Sequence, residues 1–180
     1  MTSPESTWDL SPLYGSPDDS NLVADLEAAQ QLAQKFRQDF RGRIASERLS
    51  PEALVSALKR YEELQRLILK PYFYAQLLFS QDSRPAAHKA LLARVRESWS
   101  SLAETTLFFE LEVLRIEEVL FATLLKTPEV AAYGHYLRQL RAHAPYTLSE
   151  EVEQAVKRKD LSGKEAFTQL FEEQIGRAHV

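Results

Sequence analysis

Apolar residues recur at steps of three and four along this chain, and no stretch alternates with a period of two long enough to make a strand. Leu22, Leu26, Ala29, Ala33, Phe36 and Phe40 follow steps of four and three in turn, which lines one face of a helix. Such a pattern can be buried only by packing helix on helix, so the fold expected is all-α. A length of 180 residues with 44% hydrophobic content supplies one good core. Five glycines are too few for a sandwich or a loop-rich scaffold. No fixed-period repeat, low-complexity segment or long linker divides the chain. The expectation is a single multi-helix domain of about six to eight helices.

Local signals punctuate that pattern. Pro12, Gly15 and Pro17 make the first dozen or so residues irregular. Ser16-Pro17-Asp18-Asp19 supplies a cap, a first-turn proline and acidic residues for the first helix. Arg37, Arg41 and Gly42 mark its end. Ser50-Pro51 opens the second helix, with Leu49 and Leu54 spaced as a hydrophobic staple. Pro71 must end or kink it, with continuation over 72–79. Ser83-Arg84-Pro85 opens a third helix reaching about Glu112, with a stripe of Leu91, Val95, Trp99 or Leu102, Thr106 and Phe109. Helices are expected over 116–125 and 128–141, the latter capped by Thr127. After Pro145, Thr147-x-x-Glu150 and Ser162-x-x-Glu165 read as capping boxes. The first starts a helix ending near Lys159; the second precedes Phe167, Leu170 and Phe171.

Several function classes are excluded by composition. The 22 basic and 26 acidic residues are interspersed and leave a charge of -4, so nothing attracts nucleic acid or an anionic membrane. The chain has no cysteine, which removes disulfides, thiolate nucleophiles and thiolate metal sites. Residues 1–7 lack a secretory pattern and the apolar run 119–125 is too short for a bilayer, so the expected location is cytoplasmic. His88, His135, His143 and His179 include no pair four apart and no glutamate three residues earlier, so neither H-E-x-x-H nor E-x-x-H is present. His135 and His143 could share a helix face, but no carboxylate pattern completes a metal site. Glu62-Glu63, Glu117-Glu118, Glu150-Glu151 and Glu172-Glu173 are adjacent pairs, which diverge by about 100° on a helix. Capping and solvation account for them. No glycine-rich phosphate loop or G-x-S-x-G elbow occurs. Lys157-Arg158-Lys159 fits a helix C-terminus. Tyr72, Phe73, Tyr74 and Phe79 could line a peptide groove, but filling the core around Pro71 is the favoured role. No catalytic, cofactor-binding or metal-ligating residue is assigned.

An ordered set of segments nevertheless resembles a known family. Trp8-Asp9-Leu10-Ser11-x-Leu13-Tyr14 is similar to the opening of oligoendopeptidase F-type, thimet-oligopeptidase-like zinc metallopeptidases. The stretches 19–29, 72–82 and 107–112 resemble the family's first helix, aromatic tract and a later helix. Tyr136-Leu137 through Leu140-Arg141 then leads into Thr147-Leu148-Ser149-Glu150-x-x-Glu153. Leu161-Ser162-Gly163, Ala166-Phe167 and Leu170-Phe171 resemble the segment before the catalytic half. The resemblance covers about residues 8–174. Tyr146 departs from the family's usual histidine, Ser162 from threonine and Phe167 from tryptophan.

That resemblance implies an N-terminal helical domain, residues 1–174, that walls the substrate channel of a peptidase cleaving internal bonds of short peptides. In the family, two histidines of H-E-x-x-H and a downstream glutamate hold zinc, and the motif's glutamate is the base. Those positions have no counterpart here, so the domain is expected to be inert alone, with zinc only in the intact parent. Its expected partners are the catalytic C-terminal domain and, in the parent, short peptides. Ile175-Gly176-Arg177-Ala178-His179-Val180 is what a widely used sequencing adapter encodes, so 175–180 is expected to be a non-native tail on a truncated reading frame. The alternative is a stand-alone helical module that binds a partner helix or peptide without catalysis. A di-metal bundle enzyme is disfavoured by the lack of ligands.

Overall fold

The computed structural model describes residues 8–164, 166–168 and 170–171. Among these there is no strand; the chain forms seven α-helices and one 3-10 turn, as the three-and-four spacing requires. The helices are α1 Ser20–Phe40, α2 Pro51–Gln81, α3 Ala86–Leu114, α4 Glu118–Leu124, α5 Pro128–Ala131, α6 Gly134–Ala142 and α7 Glu150–Ser162. The 3-10 turn Ala144–Tyr146 joins α6 to α7. The three long helices pack on one another, α5 lies on α2, and α6 and α7 lie on α3.

Phe36 of α1 is the centre of the core. It is fully buried, with the rings of Phe40, Tyr61, Phe108 and Phe109 at 5.1, 5.9, 5.4 and 5.4 Å. Truncating such a residue to alanine costs about 3–5 kcal/mol, because the cavity is only partly closed by relaxation. The predicted stripes are buried: Leu22, Leu26, Ala29 and Ala33 on α1, and Leu91, Val95, Leu102, Thr106 and Phe109 on α3. Leu102 takes the deep place and Trp99 a half-buried one.

Boundaries follow local chemistry. The first helix starts later than Ser16 because Asp19 is the better cap: its Oδ1 accepts from Asn21 N at 2.9 Å and its Oδ2 from Gly15 N at 2.8 Å. Gly42 lies just beyond α1 at φ 78°, where a β-carbon would be strained. Ser50 caps α2 through Ala53 N at 3.2 Å with Pro51 at the first position, and Leu49 and Leu54 are both buried around it. Pro71 does not end α2, which runs on for ten more residues, to Gln81. The missing hydrogen bond is offset by burial on both sides of it, at Leu64, Ile68, Tyr74, Ala75 and Phe79.

Three expectations need correction. The helix over 128–141 is two helices, because the chain breaks at Tyr133, whose N–H donates to Val130 O at 3.0 Å in a tighter turn. Thr127 does hold the N-cap position of α5, without a side-chain cap bond. Thr147 does not cap α7: its hydroxyl donates back to His143 O at 3.1 Å, and Ser149 holds the N-cap position. Glu153 instead accepts from Leu148 N at 2.9 Å, tying the first turn of α7 to the residue before its cap. α7 runs past Lys159 to Ser162. Glu165, which would complete the second capping box, lies outside the described residues, as do Glu172, Glu173 and the tail 175–180.

Candidate functional site

The residues singled out in the sequence are dispersed. His88 Nδ1 lies 2.8 Å from Asp82 O in the link between α2 and α3, which ties that turn rather than a ligand. His135 and His143 are exposed, one in α6 and one just beyond it. His179 lies outside the described residues. No group of three or more His, Asp or Glu side chains is gathered to hold a metal ion among the described residues.

The glutamate pairs diverge into separate structural bonds. Glu62 accepts from Tyr133 Oη at 2.9 Å, while Glu63 meets Arg60 at 3.7 Å. Glu117 caps α4 through Leu120 N at 2.9 Å, and Glu118 meets Arg141 at 2.6 Å. Glu150 pairs with Arg41 at 2.9 Å. In the basic run, Arg158 forks onto Glu104, with Nε to Oε2 at 2.9 Å. The tract 72–79 divides: Tyr74 and Phe79 fill the core, Tyr72 lies 5.2 Å from the Trp99 ring, and Phe73 is exposed.

Two features stand out in three dimensions. One is a cleft of about 350 Å³ between α2, α3, α6 and α7, walled by Tyr61, Trp99 and Tyr136 with Glu110 and Lys157 among its polar lining. Tyr61 Oη donates to Glu110 Oε1 at 2.9 Å. Burial, and then the negative charge of Glu110, push the Tyr61 phenol well above its usual range, so it stays a donor. The face Ala103, Thr106, Glu110 has helical spacing and was readable in the sequence, but its partners on three other helices were not.

The other is an apolar surface along the end of the chain. Leu148, Val152 and Val156 are 56, 45 and 45% exposed, and Phe167, Leu170 and Phe171 are 73, 51 and 65% exposed. Within 150–160 no residue of α7 is fully buried. The helix lies on α3 and is tied further by the Arg158–Glu104 and Arg41–Glu150 ion pairs. Among the described residues no helix is long and apolar enough to cross a membrane.

Comparison with known proteins bears on the same stretch. The family model described as Oligopeptidase F matches residues 112–178. Group B oligopeptidase PepB of Streptococcus agalactiae is 25% identical over 150 residues, covering 82% of this chain and 24% of that protein. Oligopeptidase PepF of Bacillus subtilis is 25% identical over 150 residues, covering 83% of this chain and 22% of its own length. A chromosomal oligoendopeptidase F of Lactococcus lactis is 24% identical over 146 residues, 80% of this chain and 23% of the relative. The chain therefore spans about a quarter of the length of the curated relatives it matches. No solved structure matches it.

Proposed function

We propose that residues 1–174, similar over most of their length to oligoendopeptidase F proteins, are the N-terminal helical domain of a cytoplasmic zinc endopeptidase acting on short peptides. In this reading the helices wall one side of the substrate channel, and the chain is inert without the catalytic part. Among the described residues no ligand set for zinc is gathered, so no step of hydrolysis is assigned to them. What these residues would contribute is shape: a rigid three-helix body with one apolar surface for the rest of the enzyme.

The observation that carries the proposal is the exposed apolar run Val152, Val156, Phe167, Leu170 and Phe171, within the segment the family model matches. Large apolar side chains left exposed in one stretch of chain suggest an interaction site when they form a common patch. Residues 175–180 are, in the same reading, a non-native tail.

Sequencing the source gene past the codon for Gln174 tests this. A frame that continues to H-E-x-x-H supports it, and co-expression of the downstream part should then restore peptide hydrolysis and cover the apolar run. A stop codon after Val180 in the genomic DNA would overturn it in favour of a binding module without catalysis.

A further inference from the structure

The cleft between α2, α3, α6 and α7 combines features that the proposed channel wall does not explain. Its volume of about 350 Å³ suits a small ligand rather than a folded partner. The aromatic walls are fixed before anything binds: Tyr61 lies 4.9 Å from the Phe109 ring and 6.5 Å from Tyr136, and Trp99 rests on Tyr72 at 5.2 Å. A preformed wall lowers the ordering cost of binding. Leu102 and Leu107 add an apolar side.

Two opposite charges line this space without meeting. Glu110 uses one carboxylate oxygen for the Tyr61 hydroxyl. Lys157 comes from α7, on the other side of the cleft, and no ion pair joins it to Glu110 among the described residues. Its neighbour Arg158 is held by Glu104, so α7 is anchored at the position that sets Lys157 on the rim. A ligand carrying only an ammonium would meet Glu110 and the ring faces favourably but be opposed by Lys157. A ligand carrying only a carboxylate would meet the reverse. A ligand carrying both ends satisfies both groups.

We infer that this cleft binds a small zwitterion, an α-amino acid or a short peptide with both ends free, whose ammonium faces Glu110 and whose carboxylate faces Lys157. Its apolar side chain lies against Trp99 and Leu102. The two sources share this chemistry and differ in the span between charges.

The test is an NMR titration of the 180-residue chain, reading the indole N–H of Trp99, one of two tryptophans. The probes are phenylalanine, leucyl-phenylalanine, phenethylamine and 3-phenylpropanoate. Saturable binding of either zwitterion, at least about tenfold tighter than both singly charged probes, is expected. The tighter of the two zwitterions identifies the source. Glu110→Gln and Lys157→Met should each weaken binding about tenfold, with helicity unchanged by circular dichroism. Lys157 is on the rim, so its variant keeps the test valid if Glu110→Gln perturbs Tyr61. Equal binding of the singly charged probes, unchanged affinity in both variants, or no shift at Trp99 would overturn the inference. None of these results touches the family resemblance or the gene-sequencing outcome, so the two proposals fail separately.

Discussion

Glu112 and Gly42, seventy residues apart, are joined by a 2.6 Å hydrogen bond from the Gly42 amide to the Glu112 carboxylate. The other carboxylate oxygen accepts from Ile44 N at 3.0 Å and Ala45 N at 3.4 Å. One buried acidic side chain near the end of α3 thereby holds the turn that follows α1. Three amides that no helix could satisfy are given an acceptor.

Replacing that carboxylate by a methyl group leaves those amides without a partner. Glu112→Ala should lower the unfolding free energy by about 2–4 kcal/mol, measured by urea denaturation. A loss below about 0.5 kcal/mol would mean that water replaces the carboxylate without cost.

Gly42 itself tests backbone strain. A β-carbon there would touch nothing within 4 Å, so only its φ of 78° opposes a side chain. Gly42→Ala should cost about 1–2 kcal/mol, and Gly42→Asn less, because asparagine tolerates this conformation. Thermal melts that rank alanine above asparagine would contradict this.

Arg141 links α6 to the start of α4. Its guanidinium donates to Ile116 O at 2.7 Å, meets Glu118 at 2.6 Å and lies 4.4 Å from the centre of the Phe121 ring. A lysine cannot fork in this way. Arg141→Lys is expected to destabilise by about 1–2 kcal/mol. Equal denaturation midpoints would show that charge alone suffices.

Asp82 gives a pH signature. Side-chain and then backbone hydrogen bonds from Arg84 hold its carboxyl down at about 2. Since the folded value lies below the unfolded one, its contribution is complete above about pH 4 and is lost as pH falls toward 2. A carboxyl-detected NMR titration should show this midpoint, and Arg84→Ala should return it toward the ordinary value of about 4.

The exposed stripe predicts self-association. The isolated chain should associate with rising concentration in sedimentation experiments. Val152→Glu combined with Val156→Glu should reduce this while leaving helicity unchanged. Sedimentation that is identical for both proteins would remove the stripe as the cause.

Much of the architecture was legible because helical burial is periodic. Phe36, Leu54, Leu91 and Phe109 could be placed in the core from spacing alone. Ends were less legible where two residues competed for one role. Asp19 outcompetes Ser16 because its two oxygens serve two amides at once, and Ser149 holds the position expected of Thr147. Pro71 showed its local penalty in the sequence, and the continuation of the helix past it over 72–79 was legible as well. The cleft was hidden for another reason. Tyr61, Trp99, Glu110, Tyr136 and Lys157 are spread over ninety-seven residues, and only tertiary packing brings them to one space. Glu112 left a weak trace, a charge within the apolar run 111–114, whose meaning depended on amides seventy residues away.

The attachment of α7, which lies on α3 with no residue of 150–160 fully buried and is tied by two ion pairs, gives the molecule two scales of stability. The body formed by α1, α2 and α3 is held by apolar contact, which modest salt does not weaken. Charge pairs at a partly exposed surface are screened over a Debye length of about 8 Å at physiological ionic strength. Ionic strength therefore acts most on α7, which can loosen and exchange its amides while the better-buried three-helix body keeps its own protected, so this helix behaves as a salt-tuned flap on a fixed frame.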